Sequence, residues 1–249
     1  MSSIGTGYDL SPTTYSPDGR VFQVEYANKA VANSGTVVAL RVSDGVVFAV
    51  EKEVPSSLLL MSSQKRVYTI DERIGFAMAG LTADARTLAS EARDQAKQWR
   101  SSFGTAISPS QLAKRIALHM HIYTMRSPVR PYGVSTLIGG MEDNEPTLYL
   151  VDPSGSHLGY MATAIGNRSH QAKAELERLS LTTMTVEEAV KEAAKVLHVV
   201  RQREQATTKE YVLEMSWVRA DGTHSLVPEF IVSQADEFGR KYAEDMLEM

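Results

Sequence analysis

Apolar and polar positions along the chain fall into two rhythms. Thr36-Val-Val-Ala-Leu-Arg-Val42 and Val46-Val-Phe-Ala-Val50 flank Ser43-Asp44-Gly45, and an Asp-Gly pair favours a tight hairpin turn. Arg66-Val-Tyr-Thr-Ile70 and Ile74-Gly-Phe-Ala-Met78 flank Asp71-Glu-Arg73. Gly133-Val-Ser-Thr-Leu-Ile138 and Thr147-Leu-Tyr-Leu-Val151 flank a longer polar turn. Connections this short imply antiparallel pairing. The first pair is apolar almost without interruption, as expected of strands covered on both faces.

The second rhythm is helical. Ser108-Pro109-Ser110-Gln111 combines an N-cap serine, a proline at the first helical position and a capping-box glutamine. Leu112, Ile116, Met120 and Tyr123 then recur on one face. Thr185-Val-Glu-Glu188 is a second capping box, launching Val186, Val190, Ala193, Leu197 and Val200. Leu81, Ala85, Leu88, Ala92 and Trp99 predict a third helix; Ile231, Ala235, Phe238, Tyr242 and Met246 predict a C-terminal one. A shorter helix is expected between Pro17-Asp18-Gly19 and Gly35, with Val21, Val24 and Val31 inward. Helical pairs alternating with strand pairs predict an α+β fold, a four-layer αββα sandwich of two antiparallel sheets with helices outside. With no linker and no repeat, a single domain over residues 1–249 is expected.

Composition narrows the chemistry. The chain is 43% hydrophobic and 22% charged, an ordinary globular balance. It has no cysteine, which removes disulfides, thiol nucleophiles and cysteine-held metals. With 26 basic and 30 acidic residues the net charge is −4, so no nucleic-acid partner is expected. No apolar run is long enough for a membrane span. The first residues, Met1 to Gly7, lack a basic stretch followed by an apolar one, so cytoplasm and nucleus is the expected location and Asn167-Arg168-Ser169 is not expected to be glycosylated.

Few residues carry reactive signatures. There is no GxSxG elbow, no P-loop and no HExxH. Gly5-Thr6-Gly7 is half a dinucleotide fingerprint without a preceding strand. His119 and His121 lie about 200° apart around a helix and cannot share one metal. Met120, Met125 and Met161 read as core filling. No metal and no cofactor are expected. Thr36 is the one candidate nucleophile: if the Gly35–Thr36 peptide were cut, the freed amine would serve as base for its own hydroxyl, and Lys65 would lower that amine's pKa. The alternative is that Thr36 only opens a buried strand.

The N-terminal block reaches further. Tyr8-Asp9, then Tyr15-Ser-Pro-Asp-Gly-Arg-Val-Phe-Gln-Val-Glu-Tyr-Ala27, closely resembles the signature of proteasome alpha-type subunits. The resemblance continues in Gln64-Lys-Arg66, Ala79-Gly-Leu-Thr-Ala-Asp-Ala-Arg86, Val129-Arg-Pro-Tyr-Gly133, Asp152-Pro-Ser-Gly155 and Ala164-Ile-Gly166, and so spans the whole chain. Gly5-Thr-Gly-Tyr-Asp-Leu-Ser11, with Leu10 where most alpha-type chains have Arg, and Glu214-Met-Ser-Trp-Val218 resemble the type-3 branch.

The resemblance implies the sandwich of N-terminal-nucleophile hydrolases. It also implies one place in a heptameric ring with six other alpha subunits, stacked on a beta ring and receiving regulatory caps. Catalytic residues are then none, because catalytic threonines belong to beta subunits. Glu51 stands where those carry an aspartate, and the N-terminal block replaces their propeptide. Lys65 with Gly80 would form a pocket for activator tails. Tyr8, Asp9, Pro17 and Tyr26 would form a gate cluster, with residues 1–14 as the gate tail, 20–33 as the alpha-type helix and 34–249 as the sandwich. The rival expectation is a self-processed threonine hydrolase using Thr36, Glu51 and Lys65.

Overall fold

A computed structural model describes residues 7–203 and 210–248. In chain order the elements are α1 (Phe22–Ala32), β1 (Val37–Val42), β2 (Gly45–Glu53), β3 (Val67–Asp71), β4 (Ile74–Gly80), α2 (Thr82–Phe103), α3 (Pro109–Thr124), β5 (Val134–Glu142), β6 (Glu145–Val151), β7 (His157–Gly159), β8 (Ala162–Ile165), α4 (Ser169–Leu176), α5 (Val186–Arg203), β9 (Tyr211–Val218), β10 (His224–Leu226) and α6 (Glu229–Glu248). One sheet has the order β10-β9-β2-β1-β8, the other β3-β4-β5-β6-β7, and every pairing is antiparallel.

Three apolar layers hold four structural layers together, as the unbroken strand pattern predicts. Along β1, Val38, Leu40 and Val42 face α4, α5 and α6, whereas Val37 and Ala39 face the second sheet. Along β2, Val47 and Ala49 take the helix side, and Val46, Phe48 and Val50 the sheet side. The second sheet repeats the arrangement. Ile74, Phe76 and Met78 of β4 pack under α2 and α3, and Ala77 and Ala79 meet the first sheet. Period-two alternation thus sends apolar side chains both ways from each strand.

The α5 capping box forms as read; at α3 the N-cap bond forms, but among the described residues no hydrogen bond from the Gln111 side chain completes the box. The Ser108 hydroxyl accepts the Gln111 N–H at the start of α3. At α5 the Thr185 N–H donates to the Glu188 carboxylate at 2.9 Å, and the Glu188 N–H returns a bond to the Thr185 hydroxyl at 3.4 Å.

Several expectations are corrected. The β5–β6 turn is short: Asp143 and Asn144 both adopt positive φ (52° and 65°), the two-residue geometry that matches strand twist. In the first hairpin the loop is Ser43-Asp44, and Gly45 already belongs to β2, where the Val218 carbonyl occupies the space of a side chain. The loop is held from outside, because Asp44 accepts the Val186 N–H at 2.8 Å and the Ser43 hydroxyl donates to the Met184 carbonyl at 2.7 Å. The inward face of α1 is Phe22, Ala27 and Val31; Val21 and Val24 are only half-buried. Leu81 precedes α2 and is exposed. In α6 the buried line is Ala235, Gly239 and Ala243, with Phe238, Tyr242 and Met246 exposed. Met120 is core, but Met125 and Met161 are surface residues. Helix α4 had no pattern to announce it and begins after Arg168, which has φ 54°.

Candidate functional site

Thr36 directly precedes β1 and is 1% exposed. Its carbonyl accepts the Glu51 N–H at 2.9 Å, and its hydroxyl donates to the Asn167 carbonyl at 2.9 Å. The Asn167 N–H in turn donates to the Ser34 carbonyl at 2.9 Å. Gly35 is pressed against the Glu51 carbonyl, and Gly166, at φ 86°, against the carbonyl of Gly35. The Gly35–Thr36 segment is therefore clamped between the end of β2 and residues 166–167, with the Thr36 hydroxyl proton committed to the Asn167 carbonyl.

Glu51 is equally occupied. It is buried, with Arg168 Nη1 at 3.3 Å from one carboxylate oxygen and Arg201 Nη1 on the other. These arginines lie 117 and 150 residues from it along the chain. A carboxylate bound this way neutralises buried cations; it does not orient a nucleophile.

Lys65 stands in the exposed connection before β3, its carbonyl accepting the Tyr68 hydroxyl at 3.1 Å. Gly80 ends β4 at φ 127°, with the Gly133 carbonyl where a side chain would be. The side chain that reaches Gly80 is that of Arg66, whose Nη1 donates to the Gly80 carbonyl at 2.6 Å. The Arg66 N–H donates to the Glu214 carboxylate at 3.0 Å, and burial lowers the guanidinium's pKa. Arg66 lines a polar cavity of about 140 Å³ with Gly35, Glu51, Lys52 and Gln64, and the Gln64 Oε1 is buried there without a partner. Sequence reasoning named Arg66 within the family resemblance and Asn167-Arg168-Ser169 as a sequon, but gave neither these residues nor Arg201 a place at the site. Arg66 had its neighbour Lys65 as a signal; the partners of Asn167, Arg168 and Arg201 are distant in sequence.

The N-terminal block forms a separate feature. The Gly19 N–H donates to the Ser16 carbonyl at 2.9 Å and the Ser16 N–H to the Arg20 carbonyl at 2.9 Å, closing a turn with Pro17 at its first corner. Helix α1 follows, with Arg20 paired to Glu25 and Phe22 stacked on Tyr26 at 6.2 Å. The Tyr26 hydroxyl donates to the Asp9 carboxylate at 3.3 Å, and the Gln23 amide donates to the Asp9 carbonyl. Partial desolvation, and then the Asp9 charge, raise the Tyr26 pKa. So Asp9 and Tyr26 meet. Tyr8 and Pro17 are exposed, and no hydrogen bond or ring stacking among the described residues joins them to that pair. Residues 1–6 of the tail, with Gly5 and Thr6 of the glycine motif, lie outside the described residues.

The two histidines read as unable to share a metal have separate partners. His119 Nε2 lies 3.1 Å from the Tyr132 hydroxyl, and His121 Nδ1 lies 3.1 Å from the Ser154 carbonyl. Among the described residues, no group of three or more His, Asp or Glu could hold a metal, and no helix is long and apolar enough to cross a membrane.

Two facing antiparallel sheets between helix pairs, entered through a turn and a helix ahead of β1, are the architecture of a proteasome chain of the alpha type. The proteasome subunit family pattern matches residues 31–216, and the N-terminal signature of A-type proteasome subunits matches residues 8–30. The chain belongs to this family. It is 45% identical to the alpha type-3 proteasome subunit of Acanthamoeba castellanii over 249 residues, covering 99% of this chain and 98% of that one. It is 43% identical to the alpha type-3 proteasome subunit of Dictyostelium discoideum, covering 98% and 99%. A probable alpha type-7 proteasome subunit of Saccharomyces cerevisiae is 40% identical, covering 97% of this chain and 85% of that one.

Proposed function

We propose that this chain acts without catalysis of its own, as one of seven alpha subunits closing the end ring of a 20S core particle. It would contact the beta ring on one side and regulatory caps on the other, in the cytoplasm and nucleus. The observation that carries this reading is that the groups a threonine nucleophile would use are held in other bonds: the Thr36 hydroxyl donates to the Asn167 carbonyl, and Glu51 is bound by Arg168 and Arg201.

In this reading Lys65 and Gly80 serve an activator-tail pocket, and Arg66, bonded to Gly80, supplies a second cation beside it. Residues 1–14 serve as the gate tail, anchored through Asp9 and Tyr26. Closure into a ring follows from head-to-tail contacts whose rotation closes.

The test is treatment of the assembled particle with a threonine-directed covalent inhibitor. The intact mass of this chain should stay unchanged, with Met1-side residues still attached, while catalytic subunits gain the label. A labelled Thr36 at a new N-terminus would instead establish the self-processed hydrolase.

A further inference from the structure

Strand β9 is eight residues long, but its outer edge is covered along less than half of that length. The Val54 N–H donates to the Glu210 carbonyl at 2.9 Å, which fixes the parity of the β2–β9 ladder. Even-numbered residues of β9 turn their backbone groups to β2; Leu213, Met215 and Trp217 turn theirs outward. Beyond Ser216, opposite Leu226, the partner strand ends: Val227 still donates to the Met215 carbonyl at 3.0 Å, and the chain then turns into α6. The N–H of Met215 and both backbone groups of Leu213 have no partner among the described residues.

Those unpaired groups form the floor of a groove of about 360 Å³. One face of α6 is its wall, carrying Glu229, Val232 and Asp236 at helical spacing, and Leu226 closes one end. His198, itself buried, holds Asp236 Oδ1 at 2.9 Å, so that carboxylate has a fixed position although its side chain is 44% exposed.

We propose that the open edge of β9, beside α6, binds an extended basic peptide segment as an added strand. Unsatisfied main-chain donors and acceptors in a row are what an incoming strand pairs with, and pockets for alternate side chains then set its sequence. The open run Tyr211–Glu214 spans about 14 Å, room for roughly four extended residues. Side chains pointing toward α6 meet the carboxylates of Glu229 and Asp236, which select Lys or Arg; Leu226 and Val232 offer apolar contact to their neighbours. This goes beyond the ring reading and does not depend on it.

The experiment is amide hydrogen exchange by NMR on the full-length chain with a capped seven-residue peptide of alternating Val and Arg. The Leu213 and Met215 amides should exchange about tenfold more slowly with peptide, while those of Val212 and Glu214, already turned to β2, stay unchanged. The same peptide with Glu for Arg, or with alternate amides N-methylated, should give no protection. The double variant Glu229→Gln with Asp236→Asn should weaken the Arg peptide severalfold. Three results would overturn the proposal: no added protection, equal protection by the N-methylated peptide, or Leu213 and Met215 already protected in the assembled particle without peptide. The last would make the edge a contact between neighbouring chains of the particle.

Discussion

His224 is a titratable ring enclosed where β10 meets the second sheet. Its Nδ1 lies 2.8 Å from the Thr69 hydroxyl, its edge meets the Phe48 ring, and its Nε2 is buried without a partner. Gly75 lies beneath it, and any side chain there would collide with the ring. Burial lowers its pKa to about 4. The unfolded chain therefore takes up a proton below about pH 6.5 that the folded chain refuses. The stability tied to the neutral ring is complete above that value and is lost as pH falls toward 4, with roughly 3 kcal/mol at stake. Urea titrations at pH 7 and pH 4.5 should show a steeper loss for the wild type than for His224→Gln; parallel losses would mean the ring is solvated. Glu51 makes a different demand. Glu51→Ala removes the buried carboxylate that both Arg168 and Arg201 bind, and the denaturation midpoint at pH 7 should drop by the equivalent of about 3 kcal/mol. A shift below about 1 kcal/mol would mean that water replaces the carboxylate without cost.

Among the elements, the α5–α6 pair shows how size misleads a reading by periodicity. Choosing the largest apolar residues of α6 picks Phe238, Tyr242 and Met246, yet the helix turns Ala235, Gly239 and Ala243 inward. The cause is close approach: a Cβ on Gly239 would lie 2.7 Å from His198 Cδ2 and 3.0 Å from the backbone of Ala194 and Lys195. The large side chains then flank the contact, with the Lys195 ammonium 4.7 Å above the Tyr242 ring. Gly239→Ile should destabilise by about 1–3 kcal/mol through overpacking, against a gain of about 0.5 kcal/mol in helix propensity. Thermal melts check this; an unchanged or higher Tm would mean that α6 slides freely on α5. The turn at Ser43-Asp44 teaches the same lesson, since what holds it is the start of α5, 142 residues away in the chain.

At the scale of the whole molecule, the proposed function gives the N-terminal segment a role outside its own core. Its described portion is tied down at Asp9, through Tyr26 and Gln23. In the proposed ring, removing residues 2–9 takes away the segment that would obstruct the pore, so the assembled particle should hydrolyse small peptides faster without a cap. Tyr26→Ala keeps that segment but removes its tie to Asp9 and the ring that stacks on Phe22, and should blunt stimulation by a cap while leaving basal hydrolysis near wild type. Wild-type rates from both variants, basal and stimulated, would leave this tail no part in gating.

Alternation and capping are local properties, and they were legible residue by residue. Uninterrupted apolar strands required cover on both faces, and Thr185 with Glu188 announced α5 without reference to anything else. The N-terminal block identified the family because its turn, helix and anchoring residues are contiguous. Only the folded chain decided that Arg66 reaches Gly80, because that contact joins the residue before β3 to the end of β4, 14 residues on. Likewise the pairing of Glu51 with Arg168 and Arg201, the small-residue face of α6 and the uncovered edge of β9 depend on elements far apart in sequence. Periodicity reports which residues avoid water; it carries no information about which distant element arrives to exclude that water, or how closely.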